Sequence, residues 1–372
     1  MNKMDVSVFI SCYNQGEFVA KAIESVLEQQ TRYNFEIIIC DDASKDNSKE
    51  IILNYSNRYP DKIHAIINNE NIGLLQNFIN FIKLSKGKFL AFCEADDWWI
   101  DANKIEEQTT FLINNEDYVL TFASKFHFIQ KYNKITKPKH SKPSFNNEME
   151  FIISHLEYFY VHTSNAMIRK NTLINFLEVL ERIKKRLFAW DYPVFFYLPS
   201  QGKINFVNKY YSVYRVIGTS LTNQYNNDEL IYNKLVLNTY NIYFYLLNHF
   251  NYSVNVKQKV LYIFGNHCLN FGLLLKRQYL LTRGTNILKN FFSNDEVIKL
   301  QLNKQIDVAF KINDYNLMKD AIDKMEVNNF KIDFLRKIKI VSFENPFSFR
   351  ILTYILSQLQ NNRLLIKLFV NN

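Results

Sequence analysis

Two groups of carboxylates stand directly after short apolar runs in the first hundred residues. Asp41-Asp42 follows Phe35–Cys40, and Glu94-Ala95-Asp96-Asp97 follows Lys88–Cys93. Adjacent carboxylates suit a hard divalent cation, which prefers carboxylate and phosphate oxygens to soft ligands. Mg²⁺ typically takes one or two carboxylates plus substrate phosphates, so Glu94–Asp97 fits a metal–diphosphate site, where the metal offsets charge on a departing diphosphate. Tyr13 ends the first apolar run (Ser11-Cys12-Tyr13-Asn14) and offers a flat face for a heterocyclic base, while Asp41 or Asp42 could accept a hydrogen bond from a base or sugar. No G-x-G-x-x-G follows that first run and no G-x-x-x-x-G-K-[ST] occurs. Phosphate charge therefore falls to a metal rather than to a glycine-rich cradle.

The surrounding pattern explains how such groups would be gathered. Val6–Cys12, Phe35–Cys40, Lys62–Asn68, Lys88–Cys93 and Tyr118–Ala123 read as strands. Helical spacing separates them at Phe18–Gln30, Asp46–Tyr59 (with Asp46 as cap), Leu74–Leu84 and Lys104–Asn114. Strands alternating with helices of ten or more residues predict βαβ units, and near-continuous apolar strands predict a sheet covered on both faces. The fold class is α/β, mostly parallel, with ligands beyond the carboxyl ends of the strands. Further on come a basic loop at Lys131–Lys142, the stretch His162-Thr163-Ser164-Asn165, a helix to about Leu187, Ala189-Trp190-Asp191-Tyr192-Pro193, and a strand or hairpin at Lys203–Val213. From about Asn226 the pattern is helical, and the polar cluster at 218–228 marks a boundary. The division expected is a catalytic domain at 1–222, halved at 125/126, and a helical region at 223–372.

The 372 residues, 48% apolar and 16% aromatic, provide ample core and exclude a disordered chain. Four scattered cysteines without a C-x-x-C pair exclude a zinc knuckle or a disulfide framework. Residues 1–224 hold 26 Lys and Arg against 25 Asp and Glu, while residues 225–372 hold 19 against 11. The basic excess of the C-terminal region fits solvated helix surfaces or peripheral contact with an anionic membrane. An imperfect apolar stripe within Arg350–Val370 reads either as an interfacial helix or as a packed one. With no signal-peptide layout and no apolar run of membrane-spanning length, a cytoplasmic protein is expected, at most peripheral at the membrane. No recognised nucleic-acid module accompanies the basic residues, so nucleic acid is not an expected partner.

Taken together, VSVFISCYNQGEFVAKAIESVLEQQ, FEIIICDDASKDNS, NNENIG and EADDWW resemble family 2 glycosyltransferases of the GT-A fold, strongly over residues 5–125 and weakly over 126–222. The nearest likeness is to bacterial O-antigen and capsule enzymes whose metal motif reads Glu-Gly-Asp-Asp-Tyr-Trp. The resemblance implies a GT-A sheet, a nucleotide-sugar donor (a UDP-sugar by preference), Mg²⁺ or Mn²⁺, and a surface-glycan or polyprenyl-linked acceptor. It implies that Tyr13, with Asn14 beside it, stacks on the base, that Asp41 takes the base imide N–H, and that Asp42 supports the site. Asn71 would lie in a turn near the donor, Asp96 on ribose or metal, and Asp97 on the metal. Asp191 matches the position of the general base in inverting members. Ala95 and Trp98 replace Gly or Ser and Tyr without removing a ligand. Many relatives carry Tyr-Arg-x-His, whose His can join the metal, but this chain reads Tyr214-Arg215-Val216-Ile217. A lone His162 reads as structural. The expected activity is a metal-dependent hexosyltransferase. The alternatives are a nucleotidyltransferase or a non-catalytic glycan- or membrane-binding protein with the same fold.

Overall fold

A computed structural model describes residues 4–138, 145, 150–152, 161–183, 189–217, 229–250, 252–274, 278–312, 320, 321 and 324. Its elements divide into two units, residues 1–257 and 258–372. The boundary cluster at 218–228 and the stripe at 350–370 lie outside the described residues.

Strand β1 (Val6–Cys12) is buried along nearly its whole length because both of its faces are covered. Alternate residues serve opposite sides of a strand. Val6, Val8, Ile10 and Cys12 join a cluster with Val19, Ala22, Ile23 and Val26 of α1 (Val19–Leu27). Phe9 faces the other way and stacks on Phe81 of α3 (Leu74–Leu84) at 4.7 Å between ring centres. β2 (Phe35–Asp41), β3 (Ile63–Ile67) and β4 (Phe89–Phe92) complete a parallel block, with α2 (Ser48–Arg58) between β2 and β3. Gly87 lets the turn before β4 close on β1: a Cβ there would stand 2.4 Å from the Ser7 nitrogen.

After β4 come β5 (Trp98–Trp99), α4 (Lys104–Asn114), β6 (Tyr118–Ile129), β7 (Lys134–Thr136), β8 (Met167–Arg169), α5 (Lys170–Ile174), α6 (Leu177–Ile183), α7 (Asp191–Tyr197) and β9 (Lys203–Val216). The sheet runs β3-β2-β1-β4-β8-β6-β9-β5, with β7 paired to β6. β8 is antiparallel to both β4 and β6, so the sheet is mixed beyond its parallel N-terminal block. The β6–β9 register breaks on either side of Ser124, a bulge of the kind that re-aims side chains next to active sites.

The α/β expectation holds, with four local corrections. The helix expected up to Leu187 is, where described, strand β8 followed by the short helices α5 and α6. β6 and β9 run further than expected, because pairing along each other extends them past their apolar stretches. Lys134–Thr136, placed in a basic loop, pairs with β6 as a strand. Asp46 does not cap α2: Asn47 occupies the cap position, and Asp46 accepts the Ser48 amide and hydroxyl and the Gly16 amide. The contact-based division falls at 257/258 and the sequence-based one at 222/223, a difference of one helix. That helix, α8 (Glu229–His249), joins the first unit by stacking Tyr243 on Phe196 at 4.2 Å. The second unit holds most of α9 (Val254–Leu274), with α10 (Gln278–Leu288) and α11 (Asn294–Ile312), around Leu269, Leu288 and Val297.

Candidate active site

The β1 and β2 ends are laced together before any ligand arrives. Asn14 and Ala43 both have positive φ, 53° and 59°. For Ala43 this region costs on the order of 1 kcal/mol, so the surrounding bonds must hold it. The Asn14 amide donates to Ser44 Oγ (2.9 Å), and Asn14 Oδ1 accepts the Lys45 amide (2.7 Å). Asn14 is thus a clamp between the two loops. Tyr13 next to it leaves 47% of its surface exposed. Asp41 is fully buried: Oδ2 accepts the Ser44 amide, and Oδ1 is buried without a hydrogen bond. An orphaned carboxylate oxygen costs about 1–3 kcal/mol unless a ligand donor meets it.

Asp42 serves a third loop. Oδ1 accepts Asn68 Nδ2 (3.0 Å) and the Ile72 amide (2.9 Å), and Oδ2 accepts the Gly73 amide (3.0 Å). Gly73 has φ 86°, a conformation that a Cβ disfavours, and it starts α3. This bracing presents Asn71 as an exposed residue on the same loop.

The β4 end carries the densest charge. Ser11 Oγ donates to Glu94 Oε2 (2.7 Å), yet burial, with Asp96 and Asp191 nearby, pushes Glu94 up to about 7. Asp97 is 1% exposed. Its Oδ2 accepts Ser164 Oγ (2.6 Å), and its Oδ1 accepts the Arg215 amide (3.0 Å). Burial and then the Asp96 charge hold Asp97 well above the usual carboxylate range, and burial raises Asp96 too. Arg215 points its Nε at the Asp96 carbonyl (2.8 Å) and packs 4.3 Å from the Phe18 ring centre. Lys104, also fully buried, lies under this motif. Its ammonium sits 4.1 Å from the Trp99 ring centre and donates to Gln108 Oε1, and burial lowers it to about 7. Gln108 in turn donates to the Asn165 carbonyl (2.9 Å), fixing the 163–165 turn that carries Ser164.

Asp191 is the first residue of α7, after Trp190, which stacks on Phe78 at 3.9 Å and lies 4.8 Å from Phe92 of β4. Burial raises Asp191 to about 6, opposed by the Tyr192 amide on Oδ1 and by the Lys125 charge. Lys125 follows the β6 bulge, where burial lowers it to about 8 against the pull of Asp97 and Asp191. Its ammonium lies 4.8 Å from the Tyr214 ring centre. His162 meets the same ring edge-on at 4.8 Å, and its Nε2 stands 3.7 Å from Asp97 Oδ2. Burial, with Lys125 and His127 beside it, holds His162 well below 6.5.

Glu94, Asp96, Asp97 and Asp191 therefore gather near one another at the carboxyl edge of the sheet. Sequence reasoning gave no site role to Ser164, Lys125, Lys104 or Arg215; Ser164 and Arg215 meet Asp97 across 67 and 118 residues. Among the described residues no three His, Cys, Asp or Glu side chains form a cage for a metal. The carboxylates nevertheless fit a divalent cation: an all-oxygen set, buried and mutually repelling, gains stability from a hard cation that also takes ligands from phosphate. Asp97, with Asp96 next to it, would hold such an ion.

Residues 7–176 match the family described as Glycosyl transferase family 2. An uncharacterized Mycobacterium tuberculosis protein is 35% identical over 117 residues, covering 32% of this chain and 34% of its own. An Escherichia coli protein named UDP-Glc:alpha-D-GlcNAc-diphosphoundecaprenol beta-1,3-glucosyltransferase (WfaP) is 35% identical over 142 residues, 38% of this chain and 53% of that one. The chain thus spans between a third and about half of these curated relatives. The crystal structure of Staphylococcus aureus TarS 1-349 with UDP superposes over 92% of both chains with a TM-score of 0.55 at 15% identity, a likeness of fold. The same protein with UDP-GlcNAc gives 0.56 over 89% of this chain and 93% of that one, at 14% identity. Over residues 7–176, a little under half of its length, the chain is similar to glycosyltransferase family 2.

Proposed function

We propose that this protein is an inverting glycosyltransferase that moves a sugar from a UDP-sugar to a hydroxyl of a lipid-linked or surface glycan. The observation that carries the reading is Asp191: a partly buried carboxylate on α7 whose charge reaches Glu94 at the β4 end and Lys125 on β6. A base in that place, beside a carboxylate cluster, is what a single displacement needs. The donor and acceptor classes draw support from the E. coli relative, whose name specifies UDP-Glc and a diphosphoundecaprenol-linked acceptor, and from TarS, which holds UDP-GlcNAc.

In this reading the exposed Tyr13 ring stacks on uracil, and Asp41 Oδ1, the orphaned oxygen, accepts the imide N–H. Asp42 keeps the 68–73 loop closed, with Asn71 on the donor side. Asp97 and Asp96 hold Mg²⁺ or Mn²⁺, which when bound offsets the charge of the leaving diphosphate. Asp191 accepts the proton of the acceptor hydroxyl as that oxygen bonds to the anomeric carbon. The bond from that carbon to the diphosphate oxygen breaks on the opposite face, and UDP leaves with the bonding electrons. General-base catalysis of this kind contributes about 10²–10⁴ in rate. Buried beside Glu94, Asp191 is ionised at neutral pH with help from Lys125.

Calorimetric titration of UDP, first with Mn²⁺ and then with EDTA, tests the donor reading. Metal-dependent binding is expected. Absence of UDP binding in both conditions overturns it, and repeating with dTDP and GDP then identifies a different nucleotide or a site that takes none.

A further inference from the structure

His162 is the buried polar group that the mechanism leaves unused. Its ring lies between Tyr214 and Asp97, with the side chain 13% exposed. Nδ1 is buried without a hydrogen bond. Nε2 faces Asp97 Oδ2 at 3.7 Å, beyond hydrogen-bond range. An imidazole with a buried nitrogen left without a partner is costly to keep. Its two plain alternatives do not fit. As a packing group, an aromatic or aliphatic side chain would fill the place without orphaned nitrogens. As an anchor for Asp97 it is redundant, because Ser164 Oγ and the Arg215 amide already hold the two oxygens of that carboxylate.

We infer that His162 is a ligand of the divalent cation, contributing one nitrogen beside an Asp97 oxygen. The inference rests on the donor-site reading above and adds to it a residue and a ligand type. The remaining coordination positions would go to diphosphate oxygens and water. Tyr214 touches His162 edge-on, just before the turn at 163–165. Ser164, two residues on, ties the same turn to Asp97. Mn²⁺ accepts nitrogen and oxygen ligands together, which makes it a suitable probe.

The test is pulsed electron paramagnetic resonance of the full chain loaded with Mn²⁺ and UDP. The wild-type complex should show modulation from a directly bound ¹⁴N, and growth with ¹⁵N-histidine should convert it to the ¹⁵N pattern. His162→Ala should abolish the modulation and weaken Mn²⁺ affinity by about 10–100-fold, the loss typical of perturbed metal shells. His127→Ala should keep both. A Mn²⁺–UDP complex with no histidine nitrogen overturns the assignment and leaves the donor reading standing. Failure of Mn²⁺ to bind in the presence of UDP overturns both. The isotope measurement uses the unaltered protein, so a variant that folds poorly does not decide the outcome.

Discussion

Asp191, the proposed general base, also carries a structural liability. Asp191→Asn should lower kcat/KM by about 10²–10⁴ and leave UDP affinity unchanged by calorimetry. A variant retaining full activity removes Asp191 as the base. With its acid raised to about 6, wild-type kcat/KM should climb with pH and level off above that value, because only the ionised carboxylate accepts a proton. Lys125→Met should move that limb to higher pH, and Lys125→Arg should restore it. Stability runs in the opposite sense. A folded value near 6 against the ordinary 3.8 means that protonated Asp191 favours folding below about pH 4, an advantage lost as pH rises through 6. Asp191→Asn should therefore gain at most about 3 kcal/mol at pH 8 and nothing near pH 4, read as a Tm difference at the two values. At this scale the sequence made the acids legible, since Asp41, Asp42, Asp96 and Asp97 each follow a recognisable strand. Their partners were not: Ser164 meets Asp97 across 67 residues, and Arg215 does so across 118. No spacing rule connects residues so far apart.

Between residue and molecule, Asp42 braces the 68–73 loop through three hydrogen bonds. Asp42→Ala leaves three N–H donors of the 68–73 loop without their acceptor and should cost about 2–4 kcal/mol in urea denaturation, with faster amide exchange at Ile72 and Gly73. A loss below about 1 kcal/mol would make the brace incidental. The helices α3 and α4 were readable to the residue, because their apolar spacing is regular and each has a partner strand on either side. β8 was not readable: three residues are too short to show alternation, and only pairing with β4 and β6 defines them. The reversal of direction at β8 was hidden for the same reason. Four strands preceded by helices imply parallel neighbours, and nothing local announces that a much later segment inserts beside β4.

At the scale of the whole molecule, α8 belongs with the catalytic unit. Besides the Tyr243–Phe196 stack, Tyr252 donates its hydroxyl to the Phe196 carbonyl at 2.8 Å. Phe196 lies in α7, the helix that begins with Asp191. A fragment of residues 1–257 should melt cooperatively and bind UDP, whereas one ending at residue 217 should expose Phe196 and lose both properties. Equal behaviour of the two fragments would make α8 an accessory. Composition and periodicity placed a helical region here with a division at 222/223, while the compact units divide at 257/258; a polar linker does not reveal what the next helix packs against. The four cysteines carry a consequence of their own. Cys12, Cys40 and Cys93 lie in the first unit, Cys268 lies in the second, and all four are buried free thiols. Burial raises Cys12 and Cys40 to about 12, Cys268 to about 11, and Cys93 well above its ordinary value. Because alkylation requires the thiolate, the native chain should react only slowly with iodoacetamide. Each thiol becomes a clock that starts only when its own unit opens, and peptide mass spectrometry along a urea series reads the two clocks separately without adding a label or changing a residue.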